Sequence, residues 1–107
     1  MAASRVLFRS SLPSPGRTGT AVEITRKRAG WRYIDFAVRH VAPRKAWVDH
    51  TRGKECCLVL LRGSCQIEYA ANRRSDHLVA TLGPRQDVFA EYPHAIYLPA
   101  DTRFRVV

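Results

Sequence analysis

Residues 55–69, ECCLVLLRGSCQIEY, form an apolar run that is broken once, at Arg62-Gly63. The first arm is continuously apolar over residues 58–61, which is typical of a strand buried on both faces. In the second arm Cys65, Ile67 and Tyr69 alternate with polar residues, which is typical of a half-buried strand. Both arms are short for helices. We therefore predict two strands joined by a tight turn as a hairpin, around which the rest of the chain folds.

The rest of the sequence shows further short apolar runs separated by turn residues, and no helical period. Strands are predicted at residues 6–8, 21–25, 31–41, 77–82, 86–90, 95–98 and 103–107. Turns are predicted at residues 26–30, 72–76, 83–84 and 99–101, and a polar loop at 46–54. Within 31–41 apolar residues fall on both faces, so we expect both faces to be partly covered. Eight or nine short strands indicate an all-β sandwich or barrel.

The length of 107 residues and the composition indicate one globular domain over 1–107, with 46% hydrophobic and 25% charged residues. No apolar stretch is long enough to cross a bilayer. The net charge of +9 favours an anionic partner. Basic residues cluster only at residues 26–28 and 73–74, without interleaved aromatic residues, so nucleic-acid binding is disfavoured. A flexible start is predicted over residues 1–20.

Three cysteines, two of them adjacent, make neither a disulfide framework nor a CxxC pair. On a strand Cys56 and Cys57 point to opposite faces, so they cannot hold a metal together. Their apolar neighbours predict buried, inert thiols. Reduced cysteines of this kind indicate a cytoplasmic protein.

The candidates for chemistry are few. His50 and Glu55, ahead of the apolar run, are the best candidates for metal ligation or acid-base work. Asp49 is expected to shape a loop, and isolated histidines are more often solvent-facing or satisfied than ligating. Nucleophile elbows and Gly-rich phosphate loops are absent from the sequence. The aromatic residues could stack on ligands but are expected to be mostly core. The isolated histidines are His40, His77 and His94, and the aromatic residues are Trp31, Tyr33, Trp47 and Tyr69.

Four segments together carry a family resemblance that covers nearly the whole chain. They are LFRSSLP (7–13), GWRYIDFAVRHVAP (30–43), ECCLVLLRGSCQIE (55–68) and VFAEYPHAIYLPADTRFRV (88–106). The sequence resembles the amino-terminal half of the 5-deoxy-glucuronate isomerase family. Members of that family are bicupins, with two jelly-roll barrels in one polypeptide, so the resemblance implies a cupin-like jelly roll incomplete at its C-terminus.

The metal-binding positions of the general cupin pattern are not matched here. The position of the first-motif glutamate, counted back from Gly63, is Cys56, and Glu55 is displaced by one residue and points to the other face. In the second motif Pro99 matches, but Asp101 replaces the glycine and Phe104 replaces the histidine. We therefore predict no catalytic, cofactor-binding or metal-binding residues in this segment.

The resemblance implies an aldose-ketose isomerase that interconverts 5-deoxy-glucuronate and 2-deoxy-5-keto-gluconate in myo-inositol breakdown. It places the divalent metal in a carboxy-terminal cupin, and makes this segment a structural cupin that is inactive alone. The partners expected are a small acidic sugar in the intact protein and a second copy bound through β edges, with Trp31 and Tyr33 at that contact. Two alternatives stay open. One is a stand-alone module that binds an acidic sugar through Arg39, Arg103 or Arg105, and the other is a small basic barrel that binds nucleic acid.

Overall fold

The computed structural model of the protein describes residues 18–30, 32–71 and 77–107. The described chain forms eight strands and one helical turn, in agreement with the predicted all-β, cupin-like fold. The predicted strand 6–8, the turn 72–76 and most of the flexible start lie outside the described residues. The elements are β1 (Gly19–Ile24), α1 (Arg26–Ala29), β2 (Phe36–His40), β3 (Trp47–His50), β4 (Cys56–Val59), β5 (Gly63–Ala71), β6 (Leu78–Arg85), β7 (Ala95–Leu98) and β8 (Thr102–Val106).

The described residues divide into two compact units, one up to residue 45 and the other from residue 46 onward. In the first unit β1 pairs with β2 as an antiparallel two-stranded sheet. The predicted turn between them contains α1, whose N-cap Thr25 accepts a hydrogen bond from the Arg28 amide and whose C-cap Gly30 has φ of 74°. A residue without Cβ adopts this left-handed conformation at the lowest steric cost, and Gly30 ends the helix after one turn. The prediction of a single domain over 1–107 stays a prediction.

The second unit contains two antiparallel sheets. One has four strands in the order β3-β8-β5-β6, and the other pairs β4 with β7. The chain changes sheet between β3 and β4, between β4 and β5, between β6 and β7, and between β7 and β8. This alternation between two sheets is the connectivity expected of a jelly roll rather than of a meander.

One face of the four-stranded sheet is apolar and buried, as the register shows. Phe104 lies opposite Tyr69, and Val106 lies between Trp47 and Ile67. Trp47 packs edge-to-face on Phe104 with ring centroids 5.0 Å apart. Ile67, Phe104 and Val106 are buried, and Leu98 contributes a fully buried side chain from β7. Burial of these side chains stabilises the unit by roughly 1.5–3 kcal/mol each.

The predicted hairpin over residues 55–69 is wrong. Both arms are strands, but β4 pairs with β7 and β5 pairs with β6 and β8. The break at Arg62-Gly63 is real, because Gly63 has φ of 93°. It carries the chain from one sheet to the other instead of folding β5 back on β4. The first arm is not buried on both faces either, since Leu58 is half-buried while Val59 and Leu61 are exposed.

Four other local predictions differ from the structure. The loop predicted at 46–54 contains β3, whose pairing with β8 imposes an extended backbone on polar residues. The strand predicted at 31–41 is only β2, and both faces of that strand are largely exposed. The turn predicted at 83–84 lies inside β6, and the strand predicted at 86–90 is a loop. The structure confirms, to within two residues, the predictions of β1, β7, β8 and the turn at 99–101.

Candidate functional site

The interior between the two sheets of residues 46–107 is where a cupin would hold a ligand or metal. Its inward side chains include Leu58 and Leu98 from the small sheet, and Trp47, Ile67 and Phe104 from the large one. Phe104 stands where the cupin pattern has a histidine, and it is buried. The described interior is therefore apolar at the positions where metal chemistry would need nitrogen or oxygen donors.

His50 and Glu55, the best sequence candidates, are engaged with different groups. The His50 Nδ1 accepts a hydrogen bond from the Arg52 amide at 2.7 Å. His50 lies opposite Arg103, on the outer face of the large sheet. Glu55 Oε1 accepts a hydrogen bond from the Tyr97 hydroxyl at 2.8 Å, on the exposed side of the small sheet. The structure does not bring the two side chains together as one site.

The hydrogen bond to Glu55 raises the pKa of Tyr97, with lesser contributions from burial and from the charge of Glu55. The carboxylate stabilises the protonated phenol, which donates to it, and disfavours the phenolate. Tyr97 is thus held neutral as a hydrogen-bond donor, and it does not serve as a base near neutral pH.

The other sequence candidates are also apart from one another. Asp49 was expected to shape a loop, but it lies in β3, where its Oδ1 accepts the amide proton of His50. His40 and His77 are exposed. Tyr33 is exposed, contrary to the expectation that it is core, while Trp47 and Tyr69 are half-buried as expected. Trp31 lies outside the described residues.

The three thiols are free, and two of them are disfavoured as nucleophiles. Burial raises the pKa of Cys56, and the neighbouring Cys57 and Asp49 raise it further. Burial also raises the pKa of Cys65. Since the thiolate is the reactive form, both residues are held in the unreactive state near neutral pH. Cys57 is exposed, so the prediction of burial is wrong for this residue.

The described residues do not fit the divalent metal that the cupin fold suggests. Within residues 18–30, 32–71 and 77–107, no three His, Cys, Asp or Glu side chains are close enough together to hold a metal ion. Asp49 lies on the inward face next to Cys56, but both are at the edge of an apolar interior. One carboxylate and one protonated thiol do not make the ligand set of three or more that such an ion requires.

Arg103 and Arg105, proposed from the sequence as carboxylate clamps, alternate with the buried residues of β8 and are exposed. Arg105 Nη1 lies 3.5 Å from Glu68 Oε2 on the neighbouring strand. The two guanidinium groups therefore lie on the outer face of the large sheet and not in its interior. In the first basic cluster, Arg26 pairs with Asp35 at 3.4 Å, and Arg28 donates to the Glu23 carbonyl at 2.7 Å.

Sequence reasoning missed the most constrained polar group of the second unit, Arg85. Its side chain is buried, and its guanidinium donates to three backbone carbonyls: to Leu60 at 2.7 Å, Val88 at 2.9 Å and Ala90 at 3.4 Å. These bonds tie the loop 86–94 to the end of β4. His94 adds two more, since its carbonyl accepts from the Leu60 amide and its Nδ1 from the Gly83 amide. Nothing in the local sequence distinguishes Arg85 from the many exposed arginines.

In the part of the chain that is described, the one helix has four residues and is far too short to span a membrane. The fold and the interior together define a class: a cupin-like all-β protein whose described interior is apolar.

Comparison with known proteins makes this class specific. The model of the KduI/IolB family matches residues 7–107. The chain is 33% identical over 94 residues to the 5-deoxy-glucuronate isomerase of Geobacillus kaustophilus, which covers 87% of this chain and 32% of that protein. It is 32% identical over 100 residues to the 5-deoxy-glucuronate isomerase of Geobacillus thermodenitrificans, covering 92% of this chain and 35% of that protein.

The chain belongs to the KduI/IolB family. It spans about a third of the length of these curated relatives. No solved structure matches the chain.

Proposed function

We propose that this chain is the non-catalytic cupin part of an enzyme that interconverts 5-deoxy-glucuronate and 2-deoxy-5-keto-gluconate in myo-inositol breakdown. The observation that carries the proposal is the match to isomerases of that name along nearly the whole chain. The small acidic sugar is then the substrate of the assembled enzyme. We place the enzyme in the cytoplasm, which agrees with the free cysteines of the described residues.

We assign a structural role to this part because its described interior does not offer the groups that the reaction needs. Moving a proton between adjacent carbons requires a positioned acid-base group, and a divalent metal would polarise the carbonyl. The described interior offers Leu58, Leu98 and Phe104 where such groups would stand. We therefore assign the chemistry, and any metal, to the part of the relatives that this chain does not match.

Deletion of the coding region in its own organism tests the pathway assignment. We expect the deletion strain to stop growing on myo-inositol as sole carbon source, to grow normally on glucose, and to accumulate 5-deoxy-glucuronate. Restoring the coding region on a plasmid is the control. Growth of the deletion strain on myo-inositol at the parental rate would contradict the proposal.

Sequencing the coding region beyond the codon for Val107 tests whether a second, catalytic cupin follows this structural one. A continuation into a second cupin with clustered His and Glu would support it. A stop codon directly after Val107 would instead favour a stand-alone module that binds an acidic sugar, and titration with uronates would then be the next step.

A further inference from the structure

The loop 86–94 crosses from the large sheet to the small one at one end of the interior. It leaves β6 after Arg85 and enters β7 at Ala95. Arg85 is paired with Gly63, the first residue of β5, and Ala95 with Val59, the last residue of β4. The Arg85 guanidinium also binds the carbonyl of Leu60, so both pairs lie at the same end. The loop therefore passes across this end of the space between the sheets.

The side chains of the loop do not anchor it by burial. Phe89 is 95% and Tyr92 90% exposed, and Val88 is exposed as well. Of the nine residues 86–94, only Ala90 is half-buried, and the others are exposed. A segment with few buried apolar contacts opens at a lower free energy than the packed strands around it. Hydrogen bonds must therefore hold this loop in place.

Arg85 makes the hydrogen bonds that attach the middle of the loop. Its guanidinium donates to the Val88 and Ala90 carbonyls, on either side of Phe89. The bonds from the Phe89 and Ala90 amides to Asp87 Oδ1 stay within the loop, so they shape it without attaching it. At its last residue, His94, the loop is bound to the Leu60 and Gly83 amides. Among the described residues, the attachment of 86–93 to the strands thus depends on Arg85.

The charge of Arg85 favours release of the loop. The side chain is buried, and its acceptors are neutral carbonyls. In the part of the chain that the structure describes, no carboxylate pairs with it. A buried charge without a counter-charge is costly, and water hydrates the guanidinium once the loop lifts away. This hydration offsets part of the loss of three hydrogen bonds, so opening of the loop requires less free energy than unfolding.

We propose that loop 86–94 is a lid over this end of the interior, which opens as a unit while the strands stay paired, and that Arg85 is the residue that holds it closed. Opening gives a small molecule a route into the space between the sheets. Cys65 and Leu82 face each other across β5 and β6 near this end. The proposal does not depend on the isomerase assignment.

Limited proteolysis of the whole chain with chymotrypsin tests the role of Arg85 at the bond after Phe89. In the closed lid both carbonyls that flank Phe89 are bound, so this segment cannot extend into a protease. We expect Arg85→Met to be cut here at least roughly 10-fold faster than the wild type, because cleavage follows the open population. The matched control, Arg62→Met, removes an exposed arginine at the same end and should be cut at the wild-type rate. Equal rates for Arg85→Met and the wild type would overturn the proposal.

The cysteines report whether opening reaches the interior. Cys65 is half-buried near the lid, Cys56 is half-buried at the opposite end of β4, and Cys57 is exposed. Iodoacetamide would be added at about pH 8.5, where thiolates are populated, and labelling followed by mass spectrometry. We expect Arg85→Met to speed the labelling of Cys65 several-fold and to leave Cys56 and Cys57 at their wild-type rates. An unchanged rate at Cys65, or an equal rise at Cys56, would contradict opening at the lid end.

Hydrogen exchange of the wild type tests the lid without any substitution. The Gln66 and Val107 amides bind each other's carbonyls between β5 and the end of the chain, and they report unfolding of the large sheet. We expect the Phe89 and Ala90 amides to exchange roughly 100-fold faster than these two, after correction for intrinsic rates. Equal protection of all four amides would overturn the proposal. So would loss of protection at Gln66 and Val107 in Arg85→Met, because Arg85 would then hold the whole fold and not the lid.

Discussion

Glu55 shows how far a single displaced residue changes what a side chain can do. The cupin pattern would need a glutamate at position 56, and the sequence has it one residue earlier. In the structure Glu55 is accordingly on the outside and binds the Tyr97 hydroxyl, while Cys56 lies next to the inward Asp49. Because side chains alternate between the two faces of a strand, a shift by one residue places the carboxylate in a surface hydrogen bond instead of at a metal-ligand position.

The Glu55–Tyr97 pair predicts a pH effect of definite sign. The pKa of Tyr97 is raised in the folded protein, so the hydrogen bond is fully present below the ordinary tyrosine pKa of about 10 and is lost as pH rises through the higher folded value. We expect a spectrophotometric titration to show one tyrosine ionising later than the others. Glu55→Ala should lower that pKa, and Tyr97→Phe should remove the late step. A late step that persists in Tyr97→Phe would assign it to another residue.

At the scale of elements, two glycines approach closely where β5 pairs with β6: Gly63, the first residue of β5, and Gly83, inside β6. Gly83 has φ of 95°, and a Cβ placed there would lie 2.6 Å from the Gly63 carbonyl oxygen and 2.8 Å from Leu60 Cδ2. The contact with backbone oxygen leaves no flexible group that could move away. Gly83 therefore serves packing as well as backbone conformation, although the sequence suggests only a turn.

Gly83→Ala is expected to destabilise the protein by about 2 kcal/mol or more, since the strain of positive φ adds to the steric clash. Gly53→Ala is the matched control, because Gly53 has no positive φ and a Cβ there would meet nothing within 4 Å. Urea unfolding followed by tryptophan fluorescence measures both. Equal midpoints for the two variants would show that the close approach is absent.

The positions of individual strands can be predicted from the sequence more reliably than the pairing between strands. The alternation in residues 102–106 predicts β8 because every second side chain is buried. The pairing of β4 with β7 joins segments about 40 residues apart, and nothing in residues 55–69 specifies it. The sequence does not predict β3, because its extended backbone depends on pairing with β8. The sequence predicts a strand within the loop 86–94, because the hydrogen bonds from Arg85 that hold the loop cannot be seen in the segment itself.

At the scale of the whole molecule, the sequence was sufficient for fold class and family, while the arrangement of the candidate residues required the structure. Three departures from the cupin pattern, at Cys56, Asp101 and Phe104, are the basis for predicting an interior without metal ligands. The separate partners of His50 and Glu55 could not be predicted, because they depend on which strands meet. The exposure of Phe89 and Tyr92 could not be predicted either, because VFAEYP has the pattern of an ordinary strand and turn.

The central proposal, that this chain supplies no catalytic group to the isomerase reaction proposed for it, is tested most directly by nuclear magnetic resonance. The purified chain would be incubated with 5-deoxy-glucuronate in the presence and in the absence of a divalent metal such as Mn²⁺. The metal would be removed before the spectra are recorded, and the intact isomerase of Geobacillus kaustophilus would serve as the positive control. We predict that the substrate spectrum stays unchanged with this chain, while the control forms the keto sugar. Turnover by the purified chain alone would contradict the account.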